Sequence, residues 1–107
     1  MEKMDARTLA KRSEDCIQPA EAFAIVGNET RLNILESLWR RDGDAVSFSE
    51  LHDAVDVYDS AQFNYHLDRL KEHYVRKTDE GYELRTAGEN VVRAVVAGTF
   101  NAHPRLE

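Results

Sequence analysis

Five hydrogen-bonding side chains are spaced through one short segment: Ser60, Gln62, Asn64, Tyr65 and Arg69. Gln and Asn each carry a donor and an acceptor on one planar amide, and Arg carries a planar fork of donors. Such groups pair bidentately with base edges in the major groove, the amides with adenine and Arg with guanine. Tyr65 suits a phosphate or a sugar face. Ser60, together with the first backbone N–H groups of a helix, suits a phosphate. Arg76, Lys77 and Arg85 follow, and they suit contacts to the nucleic-acid backbone, which position a protein without specifying sequence.

Other chemistries find less support. His66 and His73 stand seven apart and His52 adjoins Asp53, whereas a transition metal takes three or four converging ligands. A site between protomers that used Cys16, His52 or His103 is the one metal arrangement left, and no metal or other cofactor is expected. There is no glycine-rich phosphate loop, no nucleophile motif and no paired-carboxylate signature. No catalytic residue is assigned, and the chain reads as a non-enzyme.

For the polar set to read a duplex, residues 60–74 must form a helix with its other side in a core. Phe63, Leu67, Leu70 and Tyr74 are spaced 0, 4, 7 and 11, one narrow apolar stripe. At about 100° per residue, Ala61, Tyr65, Asp68 and Glu72 then lie nearly opposite that stripe. Gln62 and Arg69 flank one side and Asn64 the other. Asp68 and Glu72 repel phosphates, so only the N-terminal half of this helix is expected to enter a groove. The plain alternative is a solvated polar face, which any amphipathic helix carries.

The neighbouring elements follow from the same rules. Pro19 fits a first helical turn, Ala20 to Val26 gives a short apolar helix, and Gly27 suits its end. Asn28 caps a helix over Glu29 to Arg41, with Leu32, Leu35, Leu38 and Trp39 on one face and Arg31 as a surface or structural residue. Val46-Ser47-Phe48 reads as a short strand, or Ser47 and Glu50 form a capping box with Val46 and Leu51 as its staple. Either way a short helix follows, and Asp56 to Asp59 makes a turn. Residues 75–78 and 82–85 flank Asp79-Glu80-Gly81, a β-hairpin with a three-residue loop. Thr86 and Glu89 read as a second capping box opening a helix over 87 to about 100. The fold class is therefore mainly α with a small β-hairpin (α+β), in the order of a winged helix-turn-helix.

The net charge is −6, yet it is unevenly spread. Residues 1–59 hold seven Lys/Arg against thirteen Asp/Glu, while residues 60–85 hold five of each. An acidic total argues against a simple nucleic-acid binder. Arg outnumbers Lys ten to four, a bias resembling that of proteins from halophilic archaea; an ordinary acidic cytosolic protein is the alternative. Cys16 is the only cysteine, which fits a reducing, cytoplasmic setting. No apolar run is long enough to cross a membrane.

Several segments resemble one family. Residues 29–38 (ETRLNILESL) resemble the Arg-x-x-Ile-Leu-x-x-Leu start of arsenic-repressor-like (ArsR-like) winged-helix regulators. Residues 49–75 resemble their helix-turn-helix, with Ser60, His66, Leu67, Leu70 and Val75 at matching places. Residues 81–88 (GYELRTAG) resemble the second wing strand running into the last helix. The likeness covers about 20–100 and is closest to versions in halophilic archaea. It implies a sequence-specific domain for double-stranded DNA, with the 60–74 helix in the major groove and a 75–85 wing. The metal sensors of that family hold a Cys-x-Cys pair where this chain has Glu50-Leu51-His52-Asp53-Ala54, so metal sensing does not carry over. A winged helix that binds protein instead of DNA is the alternative, favoured by the net charge and by Asp79 and Glu80 at the wing tip.

The resemblance also implies pairing through the first and last helices. Phe23, Val91, Val92, Val95 and Val96 are the expected homodimer interface, since the last helix is apolar on several sides. The chain divides into a polar arm or extra helix over 1–18, a winged-helix domain over 19–101, and a tail or linker over 102–107. Some related proteins continue into a further C-terminal domain, and the tail has that linker character.

Overall fold

Local capping and a single apolar seam account for most of the architecture. In the computed structural model, residues 17–102 are described. The arm expected over 1–18 lies outside the described residues except for Ile17 and Gln18, as do Cys16, His103 and the rest of the tail after Ala102. Helix α1 spans Pro19–Val26, α2 Glu29–Trp39, α3 Phe48–Ala54 and α4 Ser60–Lys71. Strands β1 (Val75–Thr78) and β2 (Gly81–Leu84) follow, and α5 spans Thr86–Val96. The described residues thus form an α+β fold of five helices and one antiparallel two-stranded sheet.

Each helix start has a visible cause. Pro19 occupies the first turn of α1, where its missing N–H costs nothing. Asn28 Oδ1 accepts the Arg31 amide at 3.1 Å and caps α2. Ser47 and Glu50 form the reciprocal box at α3. Val46 also makes a single antiparallel bridge to Tyr82, so the capping-box reading holds and only this one bridge remains of the strand reading. Asp59 caps α4 by accepting the Ala61 amide at 2.9 Å.

Three sequence expectations fail here. Thr86 and Glu89 make no capping box: Arg85 is the capping residue of α5, in extended backbone and without a side-chain cap bond. Its N–H donates to Tyr74 O at 2.9 Å, so the long-range bond, not a local box, sets where α5 begins. The hairpin loop has two residues, not three, because Gly81 pairs with Thr78. Gly81 sits at φ +138, which L side chains rarely adopt, and Thr78 Oγ1 bonds Gly81 O and the Glu80 amide across the turn. Finally, α5 ends at Val96 rather than near 100. Gly98 is left-handed at φ +72, and the Gly98 and Thr99 amides donate to Val95 and Ala94 O, which closes the helix in a Schellman motif.

The core lies where α2 and α4 meet. Ile34, Leu35 and Leu38 from α2 bury against Phe63, Leu67 and Leu70 from α4. Ile25, Val26, Val46, Leu51, Val55, Tyr74, Val75, Tyr82 and Val92 complete the cluster. Phe63 is fully buried, with Phe48 edge-on at 5.1 Å and His52 stacked at 4.8 Å between ring centroids. Removing a ring of that kind typically costs about 3–5 kcal/mol. Leu32 and Trp39, expected on the buried face of α2, are only half-buried, and Ile34 and Arg31 take that face instead.

Candidate nucleic-acid interface

The stripe Phe63, Leu67, Leu70 and Tyr74 is buried, so it turns the opposite edge of α4 outward. Ser60, Gln62 and Asn64 are exposed on that helix, and Tyr65 is 56% exposed. Asn64 Nδ2 reaches Asp68 Oδ2 only at 3.5 Å, a weak tie that leaves the amide available to another partner. Tyr74 lies past the last helical residue of α4; its hydroxyl donates to Ala22 O at 2.8 Å, and burial raises its pKa.

Arg69 stands apart from that edge. It is half-buried, and its Nη1 lies 3.7 Å from Glu72 Oε1. Lys71, one helical turn from Asp68, pairs with it at 3.2 Å. The C-terminal half of α4 is therefore a lattice of opposite charges, and the exposed polar edge belongs to its N-terminal half.

The hairpin cations do not form one patch. Arg76 holds Glu83 across the strands, with Nε at 3.2 Å and Nη2 at 3.1 Å from Oε2. Lys77 projects from the other face of β1 and lies 5.4 Å from the Tyr82 ring centroid. Arg85 is exposed and shares a hollow with His73, Arg76 and Glu89.

Sequence reasoning missed two features. Tyr58 is 99% exposed in the turn before α4; a lone aromatic in a polar turn gives no periodic signal. Arg31 and His66 are both buried, at 9% and 7% exposure. Arg31 Nε donates to His66 Nδ1 at 3.0 Å, and Nη1 donates to Ile25 O at 3.0 Å. His66 is thus a neutral acceptor, and burial followed by the Arg31 charge lowers its pKa. The surface alternative for Arg31 is corrected by this pairing.

His52 Nε2 donates to Val57 O at 2.6 Å, which commits it to the turn before α4. Among the described residues no group of three His, Cys, Asp or Glu side chains is placed to hold a metal, and no helix is long and apolar enough to cross a membrane.

Of the expected interface residues, Phe23, Val95 and Val96 are 63%, 50% and 62% exposed, and Val91 is half-buried. Val92 differs: at 4% exposure it belongs mainly to the chain's own core and reaches the surface only at the floor of a groove. Leu32, Val91, Val92, Val95 and Val96 line a groove of about 210 Å³ between α2 and α5, rimmed by Glu29 and Glu36.

No curated protein and no solved structure matches the chain. A family model described as a domain of unknown function, DUF7347, matches residues 19–95. That span starts with α1 and ends one residue short of the end of α5, taking in the hairpin and the exposed edge of α4. The chain belongs to the DUF7347 family.

Proposed function

We propose that this chain is a winged helix-turn-helix domain that reads double-stranded DNA for a transcription regulator. In this reading α3, the turn before α4, and α4 are the helix-turn-helix. The N-terminal half of α4 enters the major groove, and β1–β2 is the wing. One observation carries the proposal: Gln62, Asn64 and Tyr65 are exposed on an edge whose reverse is fixed in the core. A rigid helix that presents planar amides outward has the chemistry for adenine-containing steps. The resemblance of residues 29–38 and 49–75 to arsenic-repressor-like regulators supports the same reading. It assigns no catalytic group and no cofactor.

The proposed assembly is a homodimer through α1 and α5. Phe23, Val95, Val96 and Phe100 are large apolar residues that are half or more exposed, a pattern that favours association. A twofold axis between them spaces two α4 helices for successive major grooves, roughly 34 Å apart.

A protein-binding winged helix is the second reading, and the charge pairs favour it. Arg69, Lys71 and Arg76 each have a carboxylate within 4 Å, which reduces the positive field a phosphate meets. Binding to a set of duplexes across a salt series separates the two readings. A DNA reader prefers one sequence over bulk DNA at every salt concentration, and its affinity falls as salt rises. Affinity that never distinguishes one duplex from another removes the first reading.

A further inference from the structure

Arg31 occupies an unusual place for a guanidinium. It is buried at the junction of three helices, and neutral acceptors hold it there: the His66 imidazole of α4 and the Ile25 carbonyl near the end of α1. A buried charge is costly unless its donors are satisfied, so this geometry fixes the guanidinium in one orientation. Its carbon then lies 5.6 Å from the centroid of the Tyr65 ring. The Tyr65 and His66 rings meet at 5.4 Å and 62°. Tyr65 is therefore backed by a fixed cation and a fixed imidazole, while 56% of it faces solvent.

We propose that Arg31 is a positioning residue for the reading face, setting Tyr65 against the duplex through the Arg31–His66 pair. The inference rests on the DNA-reading proposal and deepens it. Arg31 touches no DNA in this account; it acts through Tyr65. Because Arg31 also holds Ile25 O, the pair ties the seat of α1 to the pose of Tyr65. A planar, forked donor is required, since a lysine ammonium has neither the fork nor the flat face that stacks on an aromatic ring.

The test is a double-mutant cycle on the ratio of preferred-duplex to bulk-DNA affinity, with Arg31→Lys and Tyr65→Ala, each checked for an intact fold by thermal unfolding. Both single changes are expected to cut the ratio by about tenfold, and the double change by little more than either alone, because the two residues act as one unit. His66→Gln keeps an acceptor and is expected to retain most of the ratio; His66→Leu removes the acceptor, is expected to lower the ratio as Arg31→Lys does, and serves if Arg31→Lys does not fold. A spectroscopic readout is independent of DNA: the Tyr65 ring proton resonances shift in Arg31→Lys, which leaves the neighbouring His66 ring in place. Full retention of the ratio in Arg31→Lys, or additive losses in the double variant, overturns the positioning role and leaves the DNA-reading proposal intact. A native chain with no sequence preference overturns the DNA-reading proposal itself, and the inference with it.

Discussion

The carboxylate of Asp59 accepts the Ala61 amide at 2.9 Å, so the N-terminus of α4 already holds a negative charge. That relationship bears directly on Ser60, the neighbouring residue expected to meet a phosphate. A helix N-terminus favours anions through its free N–H groups and its dipole, but here one of those groups is taken and a second anion meets repulsion.

Asp59→Asn tests this effect. Asn caps a helix about as well as Asp, so folding is expected to change little while the charge disappears. Affinity for DNA is expected to rise several-fold and equally for all sequences. Titration of two unrelated duplexes at one salt concentration checks it. A gain confined to one duplex contradicts a pure phosphate effect.

Arg76 and Glu83 give a second handle on charge. Exposed pairs contribute only about 0–1 kcal/mol to stability, so Glu83→Gln is expected to leave thermal unfolding almost unchanged. It releases the guanidinium, and DNA affinity is expected to rise, with a steeper loss as salt increases. Arg76→Ala is expected to lower affinity uniformly across sequences. Unchanged affinity in both variants removes the hairpin from the interface.

Much of this architecture can be read from residue order. The 0, 4, 7, 11 stripe places α4, and Asn28 and the Ser47–Glu50 box place two helix starts, because each is a local rule acting within a few residues. What is not legible depends on distant partners. Arg31 and His66 are polar, and nothing nearby in sequence says that they bury each other across 35 positions. Val92 reads like Val95 in a helix apolar on several sides, and only the seating of α5 on α2 separates core from surface. The Thr86–Glu89 spacing satisfies the capping-box pattern, yet the bond from Arg85 to Tyr74 decides the helix start. Tyr58 belongs to the same class, since its exposure follows from the shape of a turn.

The acidity dependence of folding follows from His66. Burial, with the Arg31 charge second, holds its imidazole below the ordinary histidine value. Between the folded and unfolded values the unfolded chain binds a proton that the folded chain does not. The stabilisation is therefore complete above the unfolded value, about 6.5, and is lost as pH falls through that value toward the lower folded one. The unfolding temperature is expected to drop between about pH 7.5 and pH 5 in the native chain, and to drop less in His66→Gln. Equal pH dependence in both chains contradicts the assignment.

Val95 and Val92 are adjacent in kind but opposite in fate. Val95→Glu adds charge to an exposed position and is expected to convert a dimer to a monomer in sedimentation while keeping the fold. Val92→Ala removes core methyl groups and is expected to cost about 1–3 kcal/mol of stability. A native chain that sediments as a monomer at all concentrations rejects the α1–α5 pairing.

In the proposed reading the exposed edge of α4 reads base pairs. Selection of bound duplexes from a randomised pool tests it most directly, using the native chain and Gln62→Ala side by side. Enrichment of one motif by the native chain is expected, with loss of preference at about one position in Gln62→Ala, worth about 1–3 kcal/mol there. Recovery of the pool without enrichment, or an enriched motif untouched by both Gln62→Ala and Asn64→Ala, contradicts that reading.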